Sequence, residues 1–255
     1  MGTPLLKTQS LSISFGGVHA VDKVDMEVEK GQVFAIIGPN GAGKTTFFNL
    51  VSGYYFPTGG TVTFKGEDIT RLKAYERTRR GIGRTFQNIM LFRELSVLDN
   101  AMVGLHSRLK SNLIGAFLRT RATREEEERG REEVRELLHF VGLDGHEDNL
   151  AKNLPYGMQK RLEIARALAT RPELLLLDEP AAGLPTQELS SLVEIIQKIR
   201  DRGITVILIE HKMDVVMSIS DRIMVLNFGE KIAEGTPEEV RHNQAVIEAY
   251  LGKEE

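Results

Sequence analysis

The chain contains no cysteine. Disulfides are therefore excluded, and so are a thiolate nucleophile and a thiolate metal site. That fits a reducing compartment. The opening residues, MGTPLLKTQS, hold no charged stretch followed by an apolar one, so a secretory signal is not expected. No apolar run approaches the roughly 20 residues that a helix needs to cross a bilayer. The chain is thus expected to be soluble, or to be held at a membrane by a partner. Internal repeats and low-complexity linkers are missing as well. The formal net charge is −3, which gives no global attraction to nucleic acid. One local exception is the basic run from Arg71 to Arg84, with Lys73, Arg77, Arg79 and Arg80 inside it. It reads as a solvated face or as a contact with a membrane surface or partner.

What is present is a large core and an alternating pattern. The 255 residues are 41% hydrophobic, enough for one large domain or two small ones. LSISF and VDKVDMEVE alternate apolar and polar as half-buried strands do. VFAIIG is continuously apolar, as in a strand buried on both faces. TTFFNLVSG reads as a buried helix stopped by Gly53, and TVTFKG as a further strand. From Ser111 to Leu143 the pattern is helical. Thr123 and Glu126 form a capping box there, and Val134, Leu137, Leu138 and Val141 make one apolar face. That segment is either a solvated helix packed on the domain or a docking surface. The last third alternates strands (LLLLDE, ITVILIEH) with helices (ELSSLVEIIQKIRDRG, MDVVMSISD). A hairpin, RIMVLNFGEKIAEG, follows, and Thr236, Pro237 and Glu239 start a short helix. Such alternation predicts a parallel sheet with helices on both faces.

Gly38, Pro39, Asn40, Gly41, Ala42, Gly43, Lys44 and Thr45 fit G-x-x-x-x-G-K-[ST] between a buried strand and a helix. Thr46 continues the run. The glycines let backbone N–H groups turn inward toward phosphate oxygens, and the helix N-terminus adds partial positive charge. Lys44 is placed to reach β- and γ-phosphates, and the Thr45 hydroxyl to ligate Mg²⁺. Alone, this motif indicates ATP or GTP. The apolar strand LLLLDE supplies an acidic half at the carboxyl end of the sheet. Asp178 would hold Mg²⁺, directly or through water, and Glu179 would take a proton from attacking water.

With RTFQN, LPYGMQ and ILIEH added in that order, the chain resembles the ATP-binding cassette of ABC transporters over nearly its whole length. The resemblance implies an α/β fold: a P-loop, RecA-like core with an N-terminal antiparallel β-subdomain and an inserted α-helical subdomain. It implies one domain over residues 5–252, the helical part at about 88–165 and a tail at 253–255. Gln87 then contacts Mg²⁺ and attacking water, His211 contacts the γ-phosphate, and Phe15 stacks on adenine or is an ordinary core residue. Pro155, Tyr156, Gly157, Met158 and Gln159 take the signature-loop position. In the family that loop caps ATP held by a second cassette packed head to tail, identical or different. Two departures stand out. Pro155 replaces a Ser and Met158 a Gln of the family's LSGGQ, so capping rests on backbone N–H groups and the helix dipole. Pro185 replaces the usual acidic or Asn residue of the following loop.

LPYG-x-Q before RLEIARALA, together with DEPAAGL, IEH-x-M, VIEAYLG and the insert from His106 to Glu133, is similar to ATP-binding subunits of branched-chain amino acid importers. These work with integral membrane permease subunits and a substrate-binding protein, at the cytoplasmic face of the cell membrane. Close relatives import urea or short amides. Two rivals are an export cassette of the lipopolysaccharide-transport kind and a soluble ABC ATPase acting on ribosomes or DNA. A single cassette and a negative net charge count against the last. The apolar stretch NIMLF after Gln87 is either core or a surface that meets the membrane subunit.

Overall fold

The computed structural model describes residues 3–106 and 121–251. Two long strands, β1 (Leu6–Phe15) and β2 (Val18–Val28), pair antiparallel. With β4 (Gly59–Phe64) and the short β5 (Glu67–Asp68) they form a sheet of order β2-β1-β4-β5. Leu6, Leu11, Val21, Val24, Met26 and Val28 share one buried core. The period-2 alternation slips by one between Leu6 and Leu11 and between Val21 and Val24, where the β1–β2 register is irregular and Ser10 and Lys23 take positive φ. Between these strands the chain runs through β3 (Val33–Ile37) and helix α1 (Lys44–Ser52). After them come α2 (Ala74–Arg80) and β6 (Ile82–Arg84).

The second sheet has the order β10-β9-β3-β8-β7-β6, with β7 (Leu174–Asp178), β8 (Thr205–Ile209), β9 (Arg222–Asn227) and β10 (Glu230–Gly235). Its pairs are parallel except β9 with β10, which form the expected hairpin. β3, β7 and β8 are buried at every residue, because both faces are covered. Val33, Ala35 and Ile37 enter one core, with the helices α3 (Val97–Leu105), α4 (Arg121–Phe140), α5 (Tyr156–Ala169), α6 (Thr186–Asp201) and α7 (Met213–Ile219). Phe34 and Ile36 enter the other, which α1 and the antiparallel sheet close. So one face is layered by helices, as the alternation predicts, while the other is covered largely by a sheet. Two short helices, α8 (Pro237–Arg241) with its Thr236/Glu239 capping box and α9 (Gln244–Leu251), end the described chain.

Two expectations are corrected here. The backbone is already helical at Arg121, so Thr123 lies inside α4 and is not its cap. The part of that helix expected over positions 111–120, and the tail at 253–255, lie outside the described residues. Val134, Leu138 and Val141 are fully buried, with Leu137 packed beside them, so this apolar face is core. The basic run is not a uniform solvated face either. Arg77 is wholly buried on α2 and donates to the carbonyls of Leu50, Val51, Thr70 and Leu72. Two of those carbonyls end α1, where a cation is favoured by the helix dipole. Burial, opposed by Asp68, pushes the guanidinium down to about 10. Gly53 ends α1 at φ 80, and a Cβ there would lie 2.8 Å from Arg77 Nε.

Candidate active site

β3 delivers the loop 38–43 to the N-terminus of α1. Gly43 has φ 95, and a Cβ on it would lie 2.2 Å from the carbonyl oxygen of Ala20; at Gly38 the same atom would lie 2.0 Å from that of Leu226. No side chain caps α1, so its first N–H groups face a cavity of about 530 Å³. Asn40, Gly41, Ala42, Gly43, Lys44, Thr45 and Thr46 line it, together with Gln87, Glu179 and His211. Gly38 and Pro39 lie behind the lining and accept from Lys44 Nζ at 2.7 and 2.9 Å. Burial lowers the Lys44 ammonium below the usual lysine range, against the pull of Glu179 and Asp178.

The acidic half comes from the end of β7, beside the end of β8. Asp178 of β7 stands opposite Ile209 of β8. One residue on, Glu179 adopts φ 48 and donates its N–H to the Ile209 carbonyl at 2.9 Å. A non-glycine residue in that region carries strain of about 1–3 kcal/mol, which functional sites concentrate. The turn aims the Glu179 carboxylate into the cavity. Its Oε1 lies 3.0 Å from His211 Nε2, and its Oε2 accepts from Gln87 Nε2 at 3.0 Å. Three residues from separate stretches of sequence thus meet at one carboxylate. Gln87 is fixed in turn by α5: Lys160 Nζ donates to its carbonyl at 2.8 Å, and Glu163 and Arg166 hold the backbone of Met90.

Asp178 is 2% exposed and does not itself line the cavity. Its Oδ2 accepts from Arg84 Nη2 at 2.9 Å, while its Oδ1 has no hydrogen-bond partner. Burial raises the Asp178 carboxyl, and Arg84 draws it back down. Sequence reasoning missed Arg84. The residue belongs to the RTFQ segment, but in the sequence it reads as the end of the basic run. Its guanidinium lies among the rings of Phe48, Tyr54 and Phe86, at 5.7, 5.5 and 5.1 Å, and also donates to Asn49 and Ser52. Among the described residues no group of three or more His, Asp or Glu could hold a metal ion. One orphaned carboxylate oxygen beside a Thr45-lined cavity suits Mg²⁺, which keeps several waters and is completed by phosphates.

Phe15 is not in this cavity. It is 48% exposed and packs edge-on against Tyr55 at 5.5 Å, so it is not core either. Val18, His19, Ala20 and Phe228 line the rim instead. None of residues 155–159 lines the cavity. Pro155 precedes α5 without a capping side chain, Tyr156 is exposed, and Met158 packs on the core. Gln159 donates back to the Leu154 carbonyl. The loop therefore offers outward the Pro155 ring and the Tyr156 ring at a helix N-terminus, while Gly157 is buried against the Glu188 carboxylate. In the NIMLF stretch Met90 and Phe92 are exposed, while Leu91 packs against the core.

The family model for ABC transporter matches residues 21–182, and that for branched-chain amino acid ATP-binding cassette transporter matches residues 230–255. The chain is 46% identical over 254 residues to the high-affinity branched-chain amino acid transport ATP-binding protein LivG of Salmonella typhimurium, covering 99% of this chain and 100% of the relative. It is equally similar to BraF of Pseudomonas aeruginosa, 46% identical with the same coverage. Among solved structures, the ADP conformation of MJ1267, an ATP-binding cassette of an ABC transporter, superposes with a TM-score of 0.86 at 33% identity, over 99% of this chain and 100% of that one. MJ0796, a dimeric bacterial ABC transporter cassette, superposes with a TM-score of 0.77 at 26% identity, over 91% and 98%.

Proposed function

Because the chain belongs to the family of ABC transporter ATP-binding subunits, and so is an ATPase, we propose that it energises the import of branched-chain amino acids. The observation that carries this reading is full-length identity to such subunits, joined to the match of the closing segment. The N–H groups of the loop 38–43 and of α1 would cradle the phosphates, with Lys44 leaving its carbonyls for the β- and γ-oxygens. Thr45, Asp178 and Gln87 would hold Mg²⁺, whose charge offsets that of the phosphates. Glu179 takes the proton of the attacking water, and His211 steadies the γ-phosphate.

A second cassette, identical or different, completes the site. Its signature segment lies across the γ-phosphate held here, and residues 155–159 of this chain do the same for the partner. The separation of that segment from this chain's own cavity supports the arrangement. Membrane permease subunits dock near Met90 and Phe92, and the chain then sits at the cytoplasmic face of the membrane. A substrate-binding protein acts on the far side.

The test is reconstitution into proteoliposomes with the two membrane subunits, the partner cassette and the binding protein. ATP-dependent uptake of labelled leucine is expected. Uptake of urea or acetamide without leucine would overturn the substrate class, and uptake without ATP hydrolysis the energising role.

A further inference from the structure

We propose that Glu210 is a positioning residue that locks the two catalytic loops to each other. The proposal rests on the roles given above to Glu179 and His211. Glu210 follows β8 directly and is 2% exposed. A carboxylate is costly to bury unless its oxygens are hydrogen-bonded, and here three backbone donors converge on it. Oε1 accepts from the N–H of Ala181 at 2.6 Å. Oε2 accepts from the N–H of His211 at 2.8 Å and from that of Lys212 at 3.1 Å. Ala181 lies two residues beyond Glu179, so one oxygen grips the loop of the base and the other grips the loop of the histidine. A further tie runs alongside, from Lys212 Nζ to the carbonyl of Leu184 at 2.9 Å.

The arrangement matters because His211 has little else to place it. Its side chain is 39% exposed, and its hydrogen bond is to Glu179. The imidazole is thus aimed by its backbone, and Glu210 fixes that backbone. Glu179 stands at φ 48 and needs its loop held from beyond, which the Ala181 contact supplies. A carboxylate suits this task because it accepts with both oxygens and donates with neither. A glutamine of the same shape would set an NH₂ against an N–H at one of the two loops. Neither loop faces nucleotide through Glu210, so phosphate binding is left to residues 38–46.

The experiment compares Glu210→Gln, Glu210→Asp, His211→Ala and the Glu210→Gln/His211→Ala double variant. Each is measured for kcat, KM, nucleotide affinity and thermal midpoint, with the partner cassette present. For Glu210→Gln, kcat is expected to fall about 10–100-fold, the usual effect of misplacing a reacting group by about an ångström. Nucleotide Kd should stay within about twofold of the parent. In the His211→Ala background Glu210→Gln should cost clearly less than in the parent, because the part of the loss that runs through the histidine is already gone and only the part that runs through the Glu179 loop remains. Losses that multiply would make Glu210 a merely structural residue, and an unchanged kcat would remove it from the reaction; either overturns the proposal. Should Glu210→Gln fail to fold, Glu210→Asp, which keeps the charge but not the reach, is put through the same cycle and read the same way. A fully active His211→Ala would instead fault the reading of the site on which the proposal stands.

Discussion

Lys44 is a cation held by two carbonyls of its own loop. Those contacts orient the ammonium but do not neutralise it, so the site remains suited to an anion. Lys44→Ala should abolish ATP binding, because the charge aimed at the β- and γ-phosphates is lost; nucleotide titration with near-parental affinity would refute the assignment. Glu179 makes the opposite prediction. Glu179→Gln alters no phosphate-binding group, so ATP affinity should persist while hydrolysis slows by roughly 10²–10⁴-fold. Single-turnover kinetics separate the two effects. At this scale the sequence was legible where spacing is itself geometry. The glycine loop, Asp178 and Glu179 come from motifs read at the ends of buried strands, whereas Gln87 and His211 are read only from the family resemblance and meet Glu179 in the fold. Arg77, Arg84 and Glu210 were not legible as site or core residues. A charge looks solvated in a sequence, and only long-range packing shows that partners have been built around it.

Helix α1 presents the phosphate loop at one end and rests on Arg77 at the other. Arg77→Met would leave the Leu50 and Val51 carbonyls unpaired in a buried setting. With hydrogen bonds to a charged group worth about 1.5–3 kcal/mol each, stability should fall by about 3 kcal/mol or more. A lowered urea midpoint with an unchanged m-value would show it. The segment after Gln87 behaves differently. Met90 and Phe92 are 58% and 52% exposed, and surface substitutions usually cost within about 0.5 kcal/mol. Met90→Ser and Phe92→Ser should therefore leave the isolated ATPase intact and uncouple transport in the assembled complex. If the isolated chain unfolds, these side chains are core after all. Strand and helix identities were readable from periodicity over most of the chain. The cap of α4 was not, because a local Thr-x-x-Glu pattern can lie within a helix as readily as at its start.

For the whole molecule, the reading turns on two chains closing over ATP. Glu179→Gln should make ATP, and not ADP, drive association, because a ligand that binds only the closed pair stabilises it by mass action. Gly157→Asp added to that variant should reverse the effect by placing a carboxylate opposite the γ-phosphate. A Cβ on Gly157 would also lie 1.8 Å from Glu188 Oε2 of the same chain, so Gly157→Ala belongs beside it as the control for that local push. Light scattering, with the partner cassette present, distinguishes these outcomes.

The central sheet, finally, is a wall shared by two cores, because alternate residues of β3 face opposite ways. Val33 and Ile37 cannot leave the helical layer without pulling Phe34 and Ile36 from the layer behind. A chain of this length could in principle melt in stages, shedding its helices before its sheets. The shared wall opposes that, since each layer's loss exposes the strand the other depends on. Heat should therefore unfold the protein in a single cooperative transition, with calorimetric and van't Hoff enthalpies in agreement. Nucleotide should raise the temperature of that one transition without splitting it.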